Sequence, residues 1–475
     1  MNFLKILYAA SEALPYMASG GLADVAGSLP KAIRNRQQAC RVVMPLYGDI
    51  KAELRNEMRF VTSFAVPLGW RNQYCGIFEA NCNGVIYYFI DNEYYFKRDG
   101  LYGFYDDGER FAYFSKAVLE MLNFIDFAPD IINLNDWQTA LVPVFLNTFY
   151  RDIDKFKNIK TVFTIHNIQY QGKFDIRIAQ DVLGLPEYAN SIVEYDGCLN
   201  MMKGAIEECD IISTVSPTYA SEILDPWYSH GLDRLLREKQ YKLRGILNGI
   251  DINLYNPETD AALYQNYSYD DISGKAVNKA KLQSYLGLEQ KPDTMMIGIV
   301  SRLVSHKGLD LVKYIFHELM CRNVQVVVLG SGEYVFESFF DEMSNIYKGR
   351  AAYVKGFIPH LARKIYAASD IFLMPSQSEP CGLAQMVAVR YGTLPVVRET
   401  GGLKDSITDV GNQNGNGYTF KTYNGHDMLG AIDRALGDYS DKQRWGSLLA
   451  QAVKSDFSWS KSAGEYIKMY KELLQ

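Results

Sequence analysis

Short runs of β-branched and aromatic residues, each followed by turn residues and a longer amphipathic stretch, recur along the whole chain; the recurrence breaks once and then restarts. This alternation leaves few folds open, because parallel strands need a connection long enough to hold a helix, which makes the βαβ unit the natural reading. In the first half the strand-like runs are Lys5–Ala9, Arg41–Met44, Val85–Ile90, Ile131–Leu134, Thr161–Ile165 and Ile211–Val215. The second series is Met295–Val300, Val324–Leu329, Ala351–Val354, Ile371–Met374 and Leu394–Val397. The pattern predicts an α/β protein of two doubly wound, Rossmann-like domains facing a cleft. A chain of 475 residues is longer than one core normally grows, and with 48% hydrophobic residues each half can bury its own. Between the halves, the Asn-Gly and Asn-Pro breakers of "LRGILNGIDINLYNPETD" (243–260) and a polar tract after it place a hinge near Tyr241 to Asn248. The domains are therefore expected at 1–242 and 243–457.

Composition narrows the function. A formal net charge of −6 without a basic stripe argues against nucleic acid as a partner. No apolar run approaches the length of a membrane span. Seven scattered cysteines with no C-x-x-C pair suit reduced thiols in the cytoplasm, and no metal site is expected. Glu12 interrupts the apolar start of the chain, and a Gly-Gly helix start follows closely, so this segment reads as a first strand and not as a leader.

Ligands of doubly wound sheets bind at the carboxyl ends of the strands, so candidate chemistry is sought there. After the first strand, "SGGLADVAGSLPKAI" joins Gly20 and Gly21 to a helical pattern, a common way to present backbone N–H groups to a phosphate. No Lys or Arg lies between Lys5 and Lys31, so the charge must come from elsewhere. "SRLVSHKGLDL" offers Arg302 and Lys307 beside a helix beginning near Gly308, either as a diphosphate clamp or as a solvated loop. "PSQSEPCGLAQ" sets Glu379 in a Pro- and Gly-bounded turn, as a functional carboxylate or a helix cap. His166 in "TIHNIQYQG" and Asp136 with Trp137 in "NDWQTALVP" stand at strand ends, as site residues or satisfied structural ones. The tract 89–114 is dense in Tyr and Phe and reads as a sugar platform or as core.

Together these stretches, with "LYGFYDDGERFAYFSKA", "TVSPTYASEI", "GILNGIDINLYNPETD" and "ETGGLKDSI", resemble the bacterial glycogen synthase and plant starch synthase family over nearly the whole chain. The resemblance implies the glycosyltransferase B fold and a retaining transfer of glucose from ADP-glucose to the non-reducing end of an α-1,4-glucan, with no metal or other cofactor. It implies that residues 458–475 cross back as a helix onto the first domain; Ala463, Tyr466, Ile467, Tyr470 and Leu473 fit its buried face. It assigns Arg302 and Lys307 to the donor diphosphate and Glu379 to the transferred glucose. Backbone N–H groups of Cys381, Gly382 and Leu383 are assigned to sugar hydroxyls, and the segment Thr400, Gly401, Gly402 and Leu403 to phosphate. His166, Asn167, Asp136, Trp137 and Tyr102 are assigned to the sugars, Phe357 to adenine, Asn248 to the nucleotide side, and Ala18, Gly20, Gly21 and Asp24 to the first domain's share of the donor.

On this reading the site is complete only when the cleft closes. The chain departs from the family pattern at Ala18, where most members carry lysine, and at Asn133 and Asn135, where many carry histidine. A related glycosyltransferase using another nucleotide-glucose or acceptor, and a glucan-binding scaffold that has lost activity, stay open at this point. So do the choice between ADP- and UDP-glucose and the oligomeric state.

Overall fold

The computed structural model describes residues 3–475; Met1 and Asn2 lie outside the described residues. The chain divides into two compact units, Met1–Asn248 with Trp459–Gln475, and Gly249–Ser458.

The first unit is built on a nine-stranded sheet. Its strands are β1 (Lys5–Ala9), β2 (Ala39–Pro45), β3 (Arg59–Leu68), β4 (Arg71–Cys82), β5 (Val85–Asp91), β6 (Ile131–Asn135) and β7 (Lys160–Ile165). A small antiparallel sheet of β8 (Lys173–Phe174), β9 (Glu194–Tyr195) and β10 (Cys198–Asn200) interrupts the series before β11 (Ile211–Thr214) and β12 (Leu243–Gly245). The order is β12-β11-β7-β6-β1-β2-β5-β4-β3, parallel except where β4 pairs with its two neighbours. Buried on both faces, the central strands are continuous apolar runs; Ile6, Val42, Ile132 and Phe163 are fully enclosed.

The small sheet of β8 to β10 and the later strand Tyr418–Phe420 were not among the runs read from sequence, and two further features depart from the expectation. The hairpin of β3 and β4 was not foreseen: it alternates exposed and covered residues at the sheet edge and lacks the buried-strand signature. The boundary falls after Asn248 and not after residue 242, because β12 pairs in parallel with β11 and so belongs to the first sheet.

The last helix, Trp459–Leu473, packs with the first unit and buries Trp459, Ala463, Tyr466, Ile467 and Tyr470, while Leu473 is only half-buried. Tyr470 donates to Asn133 Oδ1 at 2.9 Å, and Arg36 Nε donates to Ser460 O at 3.0 Å.

The second unit holds six parallel strands: β13 (Met295–Val300), β14 (Val324–Gly330), β15 (Ala351–Lys355), β16 (Ile371–Met374), β17 (Leu394–Arg398) and β18 (Tyr418–Phe420), in the order β15-β14-β13-β16-β17-β18. Helices cover both faces; Ile297, Leu319 and Ile371 lie in one apolar core and Met296, Val327 and Ile365 in the other. Among the described residues no helix is long and apolar enough to cross a membrane, and all seven cysteines are free thiols.

Candidate active site

In the second unit the chain winds away from the neighbours β13 and β16 in opposite directions, and such a reversal is where a doubly wound sheet opens a crevice at its strand ends. Three loops meet there. The loop after β13 runs through the turn Ser305–Lys307 to the helix Leu309–Leu319; that after β16 leads to the helix Ala384–Arg390; that after β17 leads to the helix Gly401–Ser406.

Lys307 Nζ lies 2.9 Å from Glu379 Oε1 and 2.7 Å from Oε2, and Ser376 Oγ donates to Oε2 at 3.0 Å. Glu379 is buried, and this ammonium and hydroxyl satisfy its carboxylate oxygens. Its loop is held from both sides. Gln377 N–H donates to His306 O at 2.9 Å, and Gly308, left-handed at φ 73°, leaves room for Pro375 O where a side chain would collide. From β17, buried Arg398 donates to Ser376 O at 2.9 Å and also to Gln377 O. Gln385 Nε2 braces the next turn through Cys381 O, Gly382 O and Ser406 Oγ.

The Gly401-Gly402 pair packs closely against the Glu379 loop. Gly402 N–H donates to Glu379 O at 3.1 Å and Pro380 O at 3.2 Å, and Leu403 N–H to Thr400 O at 3.0 Å, so these donors, expected on an anion, are already committed. Gly401, at φ 43°, lies against Glu379 O too closely for any Cβ. The N–H groups of Gly382 and Leu383 donate to no group among the described residues, while Cys381 and Thr400 are buried. Arg302 is exposed; its carbonyl accepts Val304 N–H at 3.1 Å and Ser301 Oγ–H at 2.9 Å, while its guanidinium has no hydrogen bond or ion pair among the described residues. Phe357, in the loop after β15, is 91% exposed.

In the first unit the reversal lies at β1 and β6. Beyond β1 comes buried Glu12, whose Oε2 accepts Ser19 N–H at 2.7 Å and Ser19 Oγ–H at 2.5 Å, with the Gly20 and Ala23 N–H groups adding to its hold. The helix Gly21–Asn35 thus starts on an anion the chain itself supplies. Burial outweighs these donors and lifts the Glu12 carboxyl above its ordinary range. Sequence reading took Glu12 only as an interruption; its signal was an acid directly after a buried strand. A Cβ on Gly21 would meet nothing within 4 Å, and one on Gly20 only Glu12 Oε1 at 3.9 Å. Ala18 is exposed, and Asp24 is half-buried, its carboxyl group without a hydrogen bond or ion pair among the described residues.

Asp136 follows β6 at φ 56° and ψ −178°, a region almost reserved for glycine and costing about 1–3 kcal/mol. The bend lets Oδ1 accept the N–H groups of His166 at 2.8 Å and Asn167 at 3.4 Å. Part of Asp136 reaches solvent, yet its carboxyl group is enclosed, and burial pushes it up to about 7. His166, at the end of β7, is pushed by burial down to about 3 and is neutral near pH 7. Asn135 sets its tautomer. Its Nδ2 donates to Ala9 O at 2.8 Å, turning Oδ1 to accept Tyr8 O–H at 2.9 Å and His166 Nε2–H at 2.8 Å, which leaves His166 Nδ1 as an acceptor.

Tyr102 OH is 2.7 Å from Ser11 Oγ. Trp137 is largely a packing residue, its ring 5.0 Å from Phe111 and 5.8 Å from Phe174, but it also lines an open cavity of about 450 Å³ with Tyr170, Lys173, Phe174 and His230. Asn248 is buried, and its Oδ1 has no partner among the described residues. The aromatic tract is mostly core: Phe89, Tyr95, Phe96, Phe111, Tyr113 and Phe114 are fully enclosed, and the platform reading fails for them.

Residues 5–238 match the starch synthase catalytic domain family, and residues 287–448 match glycosyl transferases group 1. A glycogen synthase from Clostridium botulinum is 49% identical over 99% of this chain and 99% of its own length; one from Geobacillus stearothermophilus is 48% identical over 99% and 98%. The solved catalytic domain of starch synthase IV from Arabidopsis thaliana, bound to ADP and acarbose, superimposes with a TM-score of 0.91 at 32% identity, covering 100% of both chains.

Proposed function

Since the chain belongs to the glycogen and starch synthase family of glycosyltransferases, with its glycosyltransferase B fold, we propose that it elongates an α-1,4-glucan by transferring glucose, with retention, from ADP-glucose to the non-reducing end. The observation that carries the reading is the largely enclosed Lys307–Glu379 pair at the reversal of the second sheet, with the Arg302 guanidinium in the same loop and without an ion pair among the described residues.

In this reading Arg302 and Lys307 hold the diphosphate and stabilise the charge that gathers on ADP as the sugar–phosphate bond breaks. Glu379 stabilises the positive charge developing on the glucosyl ring; the acceptor's 4-hydroxyl oxygen forms the new bond to the anomeric carbon as the sugar–phosphate bond breaks, and its proton passes to the departing β-phosphate oxygen of ADP. The uncommitted N–H groups of Gly382 and Leu383 suit sugar hydroxyls. His166 Nδ1 accepts a hydroxyl proton, and the Trp137 cavity offers an apolar wall with polar neighbours for acceptor sugars. The two cations supply the charge a metal would otherwise bring, so the reaction runs without one. The free thiols fit a reducing cytoplasm.

The test is incorporation of labelled glucose from ADP-glucose and UDP-glucose into glycogen and maltotriose, with and without a chelator. The reading expects incorporation from ADP-glucose that is indifferent to the chelator. Preference for UDP-glucose would revise the donor. Retention of glycogen by a protein inactive on every nucleotide-glucose would establish the scaffold reading, which Ala18 prompts and the retained Arg302, Lys307, His166 and Glu379 oppose.

A further inference from the structure

The hairpin of β3 and β4 turns through two residues, Gly69 and Trp70, and the tryptophan stands 77% exposed at its tip. Its ring is nonetheless fixed. The indole N–H donates to Asp181 Oδ1 at 2.9 Å, and the Arg71 guanidinium lies 4.5 Å from the ring centroid. Arg71 is held in turn by Asp181 O at 2.8 Å, Asp181 Oδ2 at 3.2 Å and Glu109 Oε1 at 3.3 Å. Gly69, at φ 57°, packs against Asp181 O where a side chain would collide, so the turn is pinned to the segment that carries the partner carboxylate. Trp227 is also exposed, at 72%, but no hydrogen bond or cation holds its ring among the described residues.

Holding an aromatic ring rigid in water gains the fold little, since burial is what makes tryptophan stabilising. With Arg71 over one face, it does prepare the opposite face as a flat apolar surface with the Asp181 carboxylate at its edge, which suits the C–H face and hydroxyl rim of a sugar. Arg71 is already neutralised by Asp181 and Glu109, so no unpaired charge is offered to an ionic ligand. A lone ring is also far smaller than the roughly 800 Å² per partner that a stable protein interface needs. The segment that anchors the ring continues from the acceptor cavity: Lys173 and Phe174 line that cavity, and the helix Ile178–Asp181 follows within a few residues.

We propose that Trp70, its indole N–H held by Asp181 and one ring face covered by Arg71, is an outlying platform whose other face binds a long α-glucan chain outside the acceptor cavity of the first unit. The proposal rests on the glucan reading of the function. On this proposal polymer affinity is separable from chemistry, because a short acceptor fills the cavity without engaging the platform.

The test uses the full chain with Trp70→Ala and Trp70→Phe, compared with wild type in native electrophoresis through glycogen-containing gels and in transfer assays with glycogen and maltotriose. Trp70→Ala is expected to lose retardation by glycogen and to raise the glycogen KM about two- to ten-fold, with maltotriose kinetics unchanged and Trp70→Phe between the two. Unchanged retardation and glycogen KM in Trp70→Ala overturn the platform. So does an equal loss on both acceptors, or a concentration-dependent dimer of the wild type that Trp70→Ala abolishes, which would assign the ring to a second copy. Retardation needs no catalysis, so it decides the platform even where the transfer assay fails the proposed function.

Discussion

Lys307 clasps Glu379 through both carboxylate oxygens, at 2.9 and 2.7 Å, and the pair is largely closed off from water. Without a donor, the lysine assigned to the diphosphate and the acid assigned to the sugar neutralise each other. Glu379→Gln should therefore lower kcat steeply while ADP affinity stays level or improves, because it frees the Lys307 ammonium. Lys307→Ala should weaken ADP as well, by about 1.5–3 kcal/mol per charge-assisted bond lost. Calorimetric ADP titration alongside steady-state kinetics separates the two; loss of ADP affinity at unchanged kcat in Glu379→Gln would make the acid a binding residue only.

The Asp136–His166 pair gives a pH signature. Asp136, raised to about 7, contributes stability that is present below its unfolded value and lost as pH rises through about 7. His166, lowered to about 3, contributes stability that is present above its unfolded value of 6.5 and lost as pH falls towards 3. Between about pH 4 and 6.5 the two slopes oppose each other. Asp136→Asn removes one of them, so its stability should gain on wild type as pH rises from about 4 to 7, by at most about 1.4 kcal/mol per pH unit, and then level off. Urea unfolding across that range measures the difference; a flat one would show that Asp136 ionises normally.

Asn135 holds His166 in the Nε2–H tautomer at 2.8 Å. Asn135→Asp would set a carboxylate at that nitrogen and should raise the histidine towards or above its ordinary value, since an opposite charge favours the imidazolium. Nitrogen-15 NMR titration of His166 reads both tautomer and protonation, and an unmoved titration would remove Asn135 from this role.

Ala18 adjoins Ser19, which donates to Glu12, so a lysine at 18 would have two anions to choose between. If the diphosphate takes it, Ala18→Lys lowers donor KM by about 1–2 kcal/mol, roughly five- to thirty-fold, and the gain shrinks with added salt. If Glu12 takes it, the melting temperature rises and donor KM stays put. The account expects the first outcome, because Glu12 is already satisfied by hydroxyl and N–H donors.

Where the chain is buried on both faces, the fold is readable from sequence. The runs Lys5–Ala9, Met295–Val300 and Ile371–Met374 have the same bounds in the structure, since continuous apolar stretches between turn residues have few other solutions. The edge hairpin and the boundary were not readable: the first is an amphipathic ribbon, and β12 is three residues whose place is set by pairing with β11. At the site, sequence pointed to Lys307, Glu379, Asp136 and His166 through their strand-end positions. It could not show that Glu12 occupies the first helix start or that Gly402 spends its N–H on Glu379 O, because both depend on which chain segments cross in space.

The measurement that bears most directly on glucosyl transfer with retention is proton NMR of the first linkage formed from ADP-glucose and maltotriose, with ADP quantified in the same tube. The account predicts one new α-1,4-linked glucose for each ADP released. A β-linked product, free glucose in place of transfer, or ADP release without chain extension would contradict it.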